Sequence, residues 1–188
     1  MSEVASAIQA ALDSDSAIPR DLVAEWCQAA EDVRSLALLY RLTGDAYERI
    51  QPLLGQVETC RLIQKYLLTC LRLDPEDGVG FSRYQAAWTL LGWFQHLSRL
   101  PDTSLILREA ASAVTQLYLE GDADVRSAIE TGFLEHVLED QEFRPLFAGW
   151  EQDDRLREAW RAALAWGEAH PGFTRSLAAS QADGDSGE

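Results

Sequence analysis

Residues 121–140, GDADVRSAIETGFLEHVLED, hold the side chains with the clearest potential for chemistry. His136 is followed four residues later by Asp140, so a helix would place both on one face, as in a pair of metal ligands. Glu135 and Glu139 are one helical turn apart, and neighbouring carboxylates can act as acid and base where a pocket separates their pKa values. A metal site needs a third ligand, which the spacing does not supply. The sequence therefore predicts a buried, hydrogen-bonded His136 and a solvated acidic ridge, with no metal ligand and no catalytic residue.

The other residues that commonly carry catalysis have no functional spacing. The two remaining histidines, His96 and His170, form no HExxH motif, and no glycine-rich phosphate loop or GxSxG elbow occurs. Cys27, Cys60 and Cys70 are odd in number and lack a CxxC pair, which indicates reduced, buried thiols. We therefore expect a protein that is not an enzyme and needs no cofactor.

Read as a helix, the same segment has apolar residues on two sides. Leu134 and Leu138 lie opposite the main apolar face, so we predict that the helix is sandwiched between other elements. Gly132 weakens a helix interior by about 1 kcal/mol relative to alanine, and a close contact with a neighbouring helix backbone would offset that cost. The residues of the main apolar face are Val125, Ile129, Gly132, Phe133 and His136.

The chain is strongly acidic, and its charge is unevenly distributed. The 188 residues have a formal net charge of −15, and residues 120–154 contain 11 acidic residues against Arg126 and Arg144. Because neutralising phosphates drives affinity for nucleic acid, this balance argues against a nucleic-acid partner and favours a basic protein. The residues predicted to contact that protein are Glu130, Glu135, Glu139, Asp140, Glu142 and, as an aromatic anchor, Trp150.

Hydrophobic residues recur at helical spacing nearly throughout the chain, and no alternating strand pattern stands out. Tryptophans 88, 93, 160 and 166 lie on apolar faces and are predicted to belong to the core. Three of the predicted helices are one near 2–12 capped by Ser2, one long helix from Pro19 to Gly44, and one from Gln56 to Leu73.

These patterns predict an all-α protein with about eight or nine helices. We expect a single compact domain over residues 1–170, an irregular bundle with HEAT-like helix pairs as one form of packing, and a flexible acidic tail over 171–188. No apolar run reaches the roughly 18 residues of a membrane span, and the first residues lack the basic start of a signal peptide. A cytoplasmic protein without membrane contact is expected.

The C-terminal half contains a turn at Gly121 and Asp122, the GFLEH sequence from Gly132 to His136, and the late helix LREAWRAALAWGE. In these features it resembles a family of small, all-helical bacterial immunity-type proteins associated with polymorphic toxin systems. The resemblance implies an immunity protein that binds and neutralises a cognate bacterial toxin. It fixes no contact residues, so the predicted contacts above come from charge and expected exposure.

Together, the charge and the resemblance predict that an acidic surface covers a basic face of the toxin, such as the substrate groove of a nuclease. The alternative is a helical scaffold or adaptor unrelated to toxins, and a toxin gene directly upstream would argue against it. A third hypothesis, an enzyme using a buried histidine and carboxylate, predicts bound metal or loss of activity in His136→Ala.

Overall fold

A computed structural model of the chain describes residues 2–75 and 78–172. Most of these residues are helical, which confirms the all-α prediction. Within them, the strands are two short segments, Ile18–Pro19 (β1) and Ile50–Gln51 (β2), which pair in parallel. Most of the predicted tail, residues 173–188, lies outside the described part.

The chain divides into two compact units, Met1–Ala86 and Ala87–Glu188. The prediction of one domain over residues 1–170 stays a prediction, because two compact units of one chain can belong to a single domain. No helix in the described ranges is long and apolar enough to cross a membrane.

Helix packing builds the N-terminal unit. Its helices are α1 (Glu3–Leu12), α2 (Arg20–Ala29), α3 (Val33–Asp45), α4 (Gln56–Leu73) and the first residues of α5 (Arg83–Ser98). Helix α3 packs against both α1 and α4, because Leu36, Leu39 and Leu42 recur at helical spacing and are fully buried. The predicted bounds of α4 and the predicted cap of α1 are confirmed: the Ser2 hydroxyl accepts a hydrogen bond of 3.2 Å from the Ala5 amide.

The predicted long helix from Pro19 to Gly44 is wrong, since the structure divides it into α2 and α3. Ala30 adopts an extended conformation after α2, and Asp32 then starts a new helix. One carboxylate oxygen of Asp32 accepts from the Ser35 amide at 2.9 Å, and the other accepts from the Ser35 hydroxyl at 2.7 Å and the Ser2 hydroxyl at 3.0 Å. A strong N-cap thus outweighs the continuous helical periodicity.

Aromatic residues form the centre of the C-terminal unit. The ring of Phe94 lies 5.0 Å from that of Phe133, 6.0 Å from Phe143 and 6.3 Å from Phe147, measured between centroids. The helices after α5 are α6 (Ser104–Glu120), α7 (Ala123–Ile129), α8 (Glu135–Val137), α9 (Arg144–Phe147) and α10 (Arg157–Ala169). Helix α10 packs against α8 and against the 3-10 turn at Ala148–Gln152.

A π-helical segment, Glu130–Leu134, joins α7 to α8. Its wider turn is marked by the amide of Glu135, which donates to the carbonyl of Glu130 five residues earlier. Leu134 and Leu138, which the sequence predicted to lie opposite the main apolar face, are fully buried, as the predicted sandwich requires.

A close approach of two backbones occurs at Gly167 of α10. A Cβ atom at Gly167 would lie 2.9 Å from the carbonyl carbon of Leu138 and 3.0 Å from the amide nitrogen of Glu139. Gly132, for which such an approach was predicted, is buried within the π-helical segment. The absence of a side chain at position 167 therefore lets α10 lie directly against the end of α8.

Candidate functional site

His136 lies in the interior of the C-terminal unit, as predicted. Its side chain is 6% exposed, and its Nδ1 forms a hydrogen bond of 2.9 Å with Oε1 of Glu139, whose side chain is 1% exposed. The three-residue separation places both groups on one side of the chain just after the π-helical segment. Glu139 was predicted to lie on a solvated ridge, and that prediction is wrong because its carboxylate is buried against the imidazole.

The imidazole of His136 belongs to a row of four aromatic rings, and its two neighbours in that row hold it in place. The ring of His136 lies 4.5 Å from that of Trp88 and 4.5 Å from that of Trp166, in an edge-on arrangement with the latter. Trp166 stacks in turn on His170 at 4.4 Å. We call Trp88, His136, Trp166 and His170 the aromatic series.

Trp88, at one end of the aromatic series, is more exposed than the sequence suggested. Trp88 was predicted to be a core residue, but it is 41% exposed, because one part of its ring rests against His136 while the rest faces solvent. Trp93 and Trp160 are buried, as predicted, and Trp166 is half-buried. The aromatic series therefore places the Trp88 indole at the surface, where the buried His136 ring supports it.

Two further predicted contacts, Glu130 and Glu135, are half-buried. Glu130 accepts a hydrogen bond of 2.5 Å from the hydroxyl of Tyr118, whose pKa is raised by burial and by this bond. Burial raises the pKa of Glu135; His136 and His170 oppose the shift, and Glu130 adds to it. Glu130 is thus bonded within the unit, and both carboxylates are partly covered rather than forming a fully solvated acidic ridge.

The remaining predicted contacts, Asp140, Glu142 and Trp150, differ in exposure. Asp140 is half-buried, whereas Glu142 is exposed and accepts a hydrogen bond of 3.3 Å from the Ser98 hydroxyl. Trp150 is 2% exposed and donates from Nε1 to the Thr115 hydroxyl at 2.8 Å. The expected surface position of Trp150 is therefore wrong: the neighbouring glycine and acidic residues do not keep this indole at the surface.

The exposed acidic residues of this unit are mostly ones that the site prediction omitted. They occur at helix ends and in turns, where carboxylates cap amides or face water. Eight acidic residues between positions 120 and 168 are exposed: Glu120, Asp122, Asp124, Glu142, Glu151, Asp154, Glu158 and Glu168. Three arginines in the same stretch are exposed: Arg126, Arg155 and Arg161.

Glu142 also lines a surface cavity of about 410 Å³ near the end of α5 and the start of α6. Leu107, Phe143 and Leu146 form apolar lining, and Asp102 and Arg108 contribute charge. Thr103 closes the turn beneath, since its hydroxyl donates to the carbonyls of Leu97 and Leu100 at 2.6 and 3.0 Å. The cavity thus combines apolar surface with both signs of charge.

Among the residues that the structure describes, no three histidine, cysteine, aspartate or glutamate side chains come together as metal ligands. Comparison with known protein families, with curated proteins and with solved structures gave no match to this chain. The resemblance to immunity-type proteins therefore stays a prediction.

Proposed function

We propose that this chain is an immunity-type protein that binds and neutralises a cognate bacterial toxin. The observation that carries the proposal is the excess of exposed carboxylates in the C-terminal unit, eight against three exposed arginines between positions 120 and 168. The resemblance of the sequence around GFLEH to immunity-type proteins supports the same function.

The mechanism that we propose is occlusion, in which the acidic surface covers a basic face of the toxin and no bond is made or broken. Opposite charges accelerate the encounter and align the two proteins, an effect that salt weakens. A nuclease groove is one such face, because a groove that holds phosphates must itself be basic.

Trp88 takes the place of Trp150 as the proposed aromatic contact. Its indole is 41% exposed and rests on His136, which Glu139 and Trp166 hold in turn. A side chain that is already ordered loses little entropy on binding, and tryptophan is enriched among the residues that dominate interface energies. An arginine or lysine of the partner can also lie over an exposed indole.

The decisive experiment measures binding of the products of the adjacent genes by calorimetry across a salt series. We expect an affinity that falls about tenfold or more between low and high salt. Reversing two exposed charges, Glu151→Lys with Glu158→Lys, should weaken binding, whereas Glu25→Lys with Glu31→Lys in the N-terminal unit makes the same change in net charge and should have less effect.

Trp88→Ala should weaken binding about tenfold or more, and Leu73→Ala, at a residue 57% exposed in the N-terminal unit, serves as its control. Affinity that responds neither to salt nor to these variants would contradict the electrostatic mechanism. Binding of a neighbouring product that is not toxic when expressed alone would favour the adaptor hypothesis.

A further inference from the structure

The cavity near the start of α6 lies entirely within the C-terminal unit and is built from described residues. Its volume of about 410 Å³ falls in the range of small-ligand sites. This volume exceeds what a few waters need and suits one long side chain with part of its backbone. The cavity therefore offers a place for a partner to insert a residue.

The lining changes in character with depth. Phe143 is 1% exposed and Leu107 is 8% exposed, so the inner lining is mainly apolar, together with the buried Thr103, whose hydroxyl is bonded to backbone carbonyls. Asp102, Arg108 and Glu142 are exposed, so the charges lie toward the mouth. An occupant with an apolar stem and a polar head matches this order.

The charges of the lining favour a cation at the mouth. Asp102 and Glu142 provide two carboxylates against the single guanidinium of Arg108, so one added positive charge brings this group to neutrality. In the described part of the chain, neither Asp102 nor Arg108 forms an ion pair, and the hydrogen bond to Glu142 comes from the uncharged Ser98 hydroxyl. A cationic ligand would thus not have to displace an existing ion pair of either carboxylate.

We propose that this cavity receives the side chain of an arginine on the protein partner, with its methylene stem against Leu107, Phe143 and Leu146 and its guanidinium at Asp102 and Glu142. The inference rests on the proposed function, since it names the chemistry by which the partner is held. Arginine fits better than lysine because its planar guanidinium can bond two carboxylates at once and is more weakly hydrated than an ammonium group. Its long stem can cover apolar surface while the charged end stays near water.

The first test uses a small probe on the full chain, Nα-acetyl-arginine N-methylamide, followed by the backbone amide signals in NMR spectra. Nα-acetyl-citrulline N-methylamide, which has nearly the same shape without the charge, is the matched control. We expect the arginine probe to shift amides of residues 98–108 and 142–146 in a saturable way, with affinity about tenfold higher than the citrulline probe. Equal affinity of the two probes, or shifts spread over the whole surface, would overturn the inference.

Charge removal at the cavity provides the second arm of this test. Asp102→Asn with Glu142→Gln keeps the side-chain shapes, and asparagine tolerates the positive φ of 60° at position 102. This pair should reduce affinity for the arginine probe about tenfold, whereas Asp124→Asn with Glu151→Gln, which removes two exposed charges outside the lining, should not. Tighter binding of Nα-acetyl-aspartate N-methylamide than of the arginine probe would also overturn the inference, because Arg108 would then dominate the cavity.

The third arm uses the partner identified from the adjacent genes. Asp102→Asn with Glu142→Gln, and separately Ser104→Trp, which fills the cavity, should each weaken partner binding about tenfold or more. A partner that binds the wild type and both cavity variants equally overturns the inference and leaves the proposed function standing. If no adjacent product binds while the arginine probe still does, the proposed function fails and the preference of the cavity for a guanidinium group stands.

Discussion

At the scale of single residues, the contact between His136 and Glu139 is a polar interaction in the interior of the C-terminal unit. Both side chains are almost fully buried, and their 2.9 Å hydrogen bond lies beside the rings of Trp88 and Trp166. Burying a polar group is costly unless it has a hydrogen-bond partner, so a substitution at one of these residues leaves the other buried without this bond. Their roles are therefore best measured together.

Removing one member of this pair should destabilise the protein more than replacing both. We expect His136→Ala to lower the free energy of unfolding by about 2–4 kcal/mol, because it deletes packing and one partner of a buried carboxylate. His136→Phe with Glu139→Leu should cost less than the sum of the two single changes, since no polar group then lacks its partner. Urea denaturation of the wild type, His136→Phe, Glu139→Leu and the double variant measures this coupling, and additive losses would show that the pair does not act as a unit.

Glu135 should make the stability depend on pH in the sense opposite to a salt-bridged carboxylate. Burial raises its pKa in the folded state, so its unfavourable contribution is absent below the unfolded pKa and grows as pH rises through the folded pKa. We expect Glu135→Gln to raise the Tm at pH 7 by about 2 °C or less and to leave it unchanged near pH 3.

The control for this change is Glu151→Gln at an exposed position, which should alter the Tm little at either pH. A lower Tm of Glu135→Gln at pH 7 would mean that the ionised carboxylate stabilises the fold. Thermal unfolding followed by circular dichroism distinguishes the two outcomes.

At the scale of elements, the fit of α10 against the end of α8 depends on a missing side chain. A Cβ at Gly167 would meet backbone atoms of Leu138 and Glu139 at 2.9–3.0 Å, and backbone cannot move aside as the end of a flexible side chain can. We expect Gly167→Ala to cost about 1–3 kcal/mol, even though alanine favours helix by about 1 kcal/mol.

Gly92 provides the matched control, because it lies inside α5, is exposed, and has room for a Cβ atom, which would meet no neighbouring atom within 4 Å. Gly92→Ala should stabilise the protein by about 0.5–1 kcal/mol through helix propensity alone. Denaturant midpoints of the two variants should therefore shift in opposite directions. Shifts in the same direction would argue against the close approach of α10 and α8.

The elements also show which sequence signals were sufficient and which were not. The bounds of α4 follow from the periodicity of its apolar residues, and the structure ends the helix at the same place, with Asp74 in a left-handed conformation. The break between α2 and α3 was missed, since the apolar period continues across it and only the capping geometry of Asp32 marks it. A side-chain hydrogen bond to the backbone, such as that of Asp32, can end one helix and start another even where the apolar spacing continues. It forms only when the backbone around it already has the capping conformation.

The candidate site was harder to predict than the fold, for a physical reason. A count of acidic residues gives the total charge of a segment but does not say which carboxylates are covered by other elements. Glu139 and Glu142 are three residues apart, yet one is buried against an imidazole and the other lines an open cavity. For the same reason Trp88, predicted in the core, is exposed, and Trp150, predicted at the surface, is buried. Packing between segments distant in sequence decides the exposure of each side chain.

At the scale of the whole molecule, the three thiols should be poorly reactive in the native state. Cys60 and Cys70 are buried and Cys27 is half-buried, and burial raises the pKa of each thiol. The reactive thiolate is therefore scarce at neutral pH. We expect slow reaction with a chromogenic disulfide reagent at pH 7.5 and rapid reaction of three thiols per chain in denaturant. Equal rates in both conditions would contradict the burial.

The π-helical segment Glu130–Leu134 makes the position of the site depend on chain length as well as on side-chain identity. A π turn holds about one more residue than an α turn, so deleting a single residue such as Thr131 would restore an α turn and leave His136 on the same side of the helix. Inserting one residue there instead would exceed what the wide turn holds and would rotate everything after it by about 100° about the helix axis. His136 would then leave the rings of Trp88 and Trp166, and tryptophan fluorescence together with unfolding cooperativity would record the loss. A one-residue insertion should thus disturb the aromatic series more than a one-residue deletion.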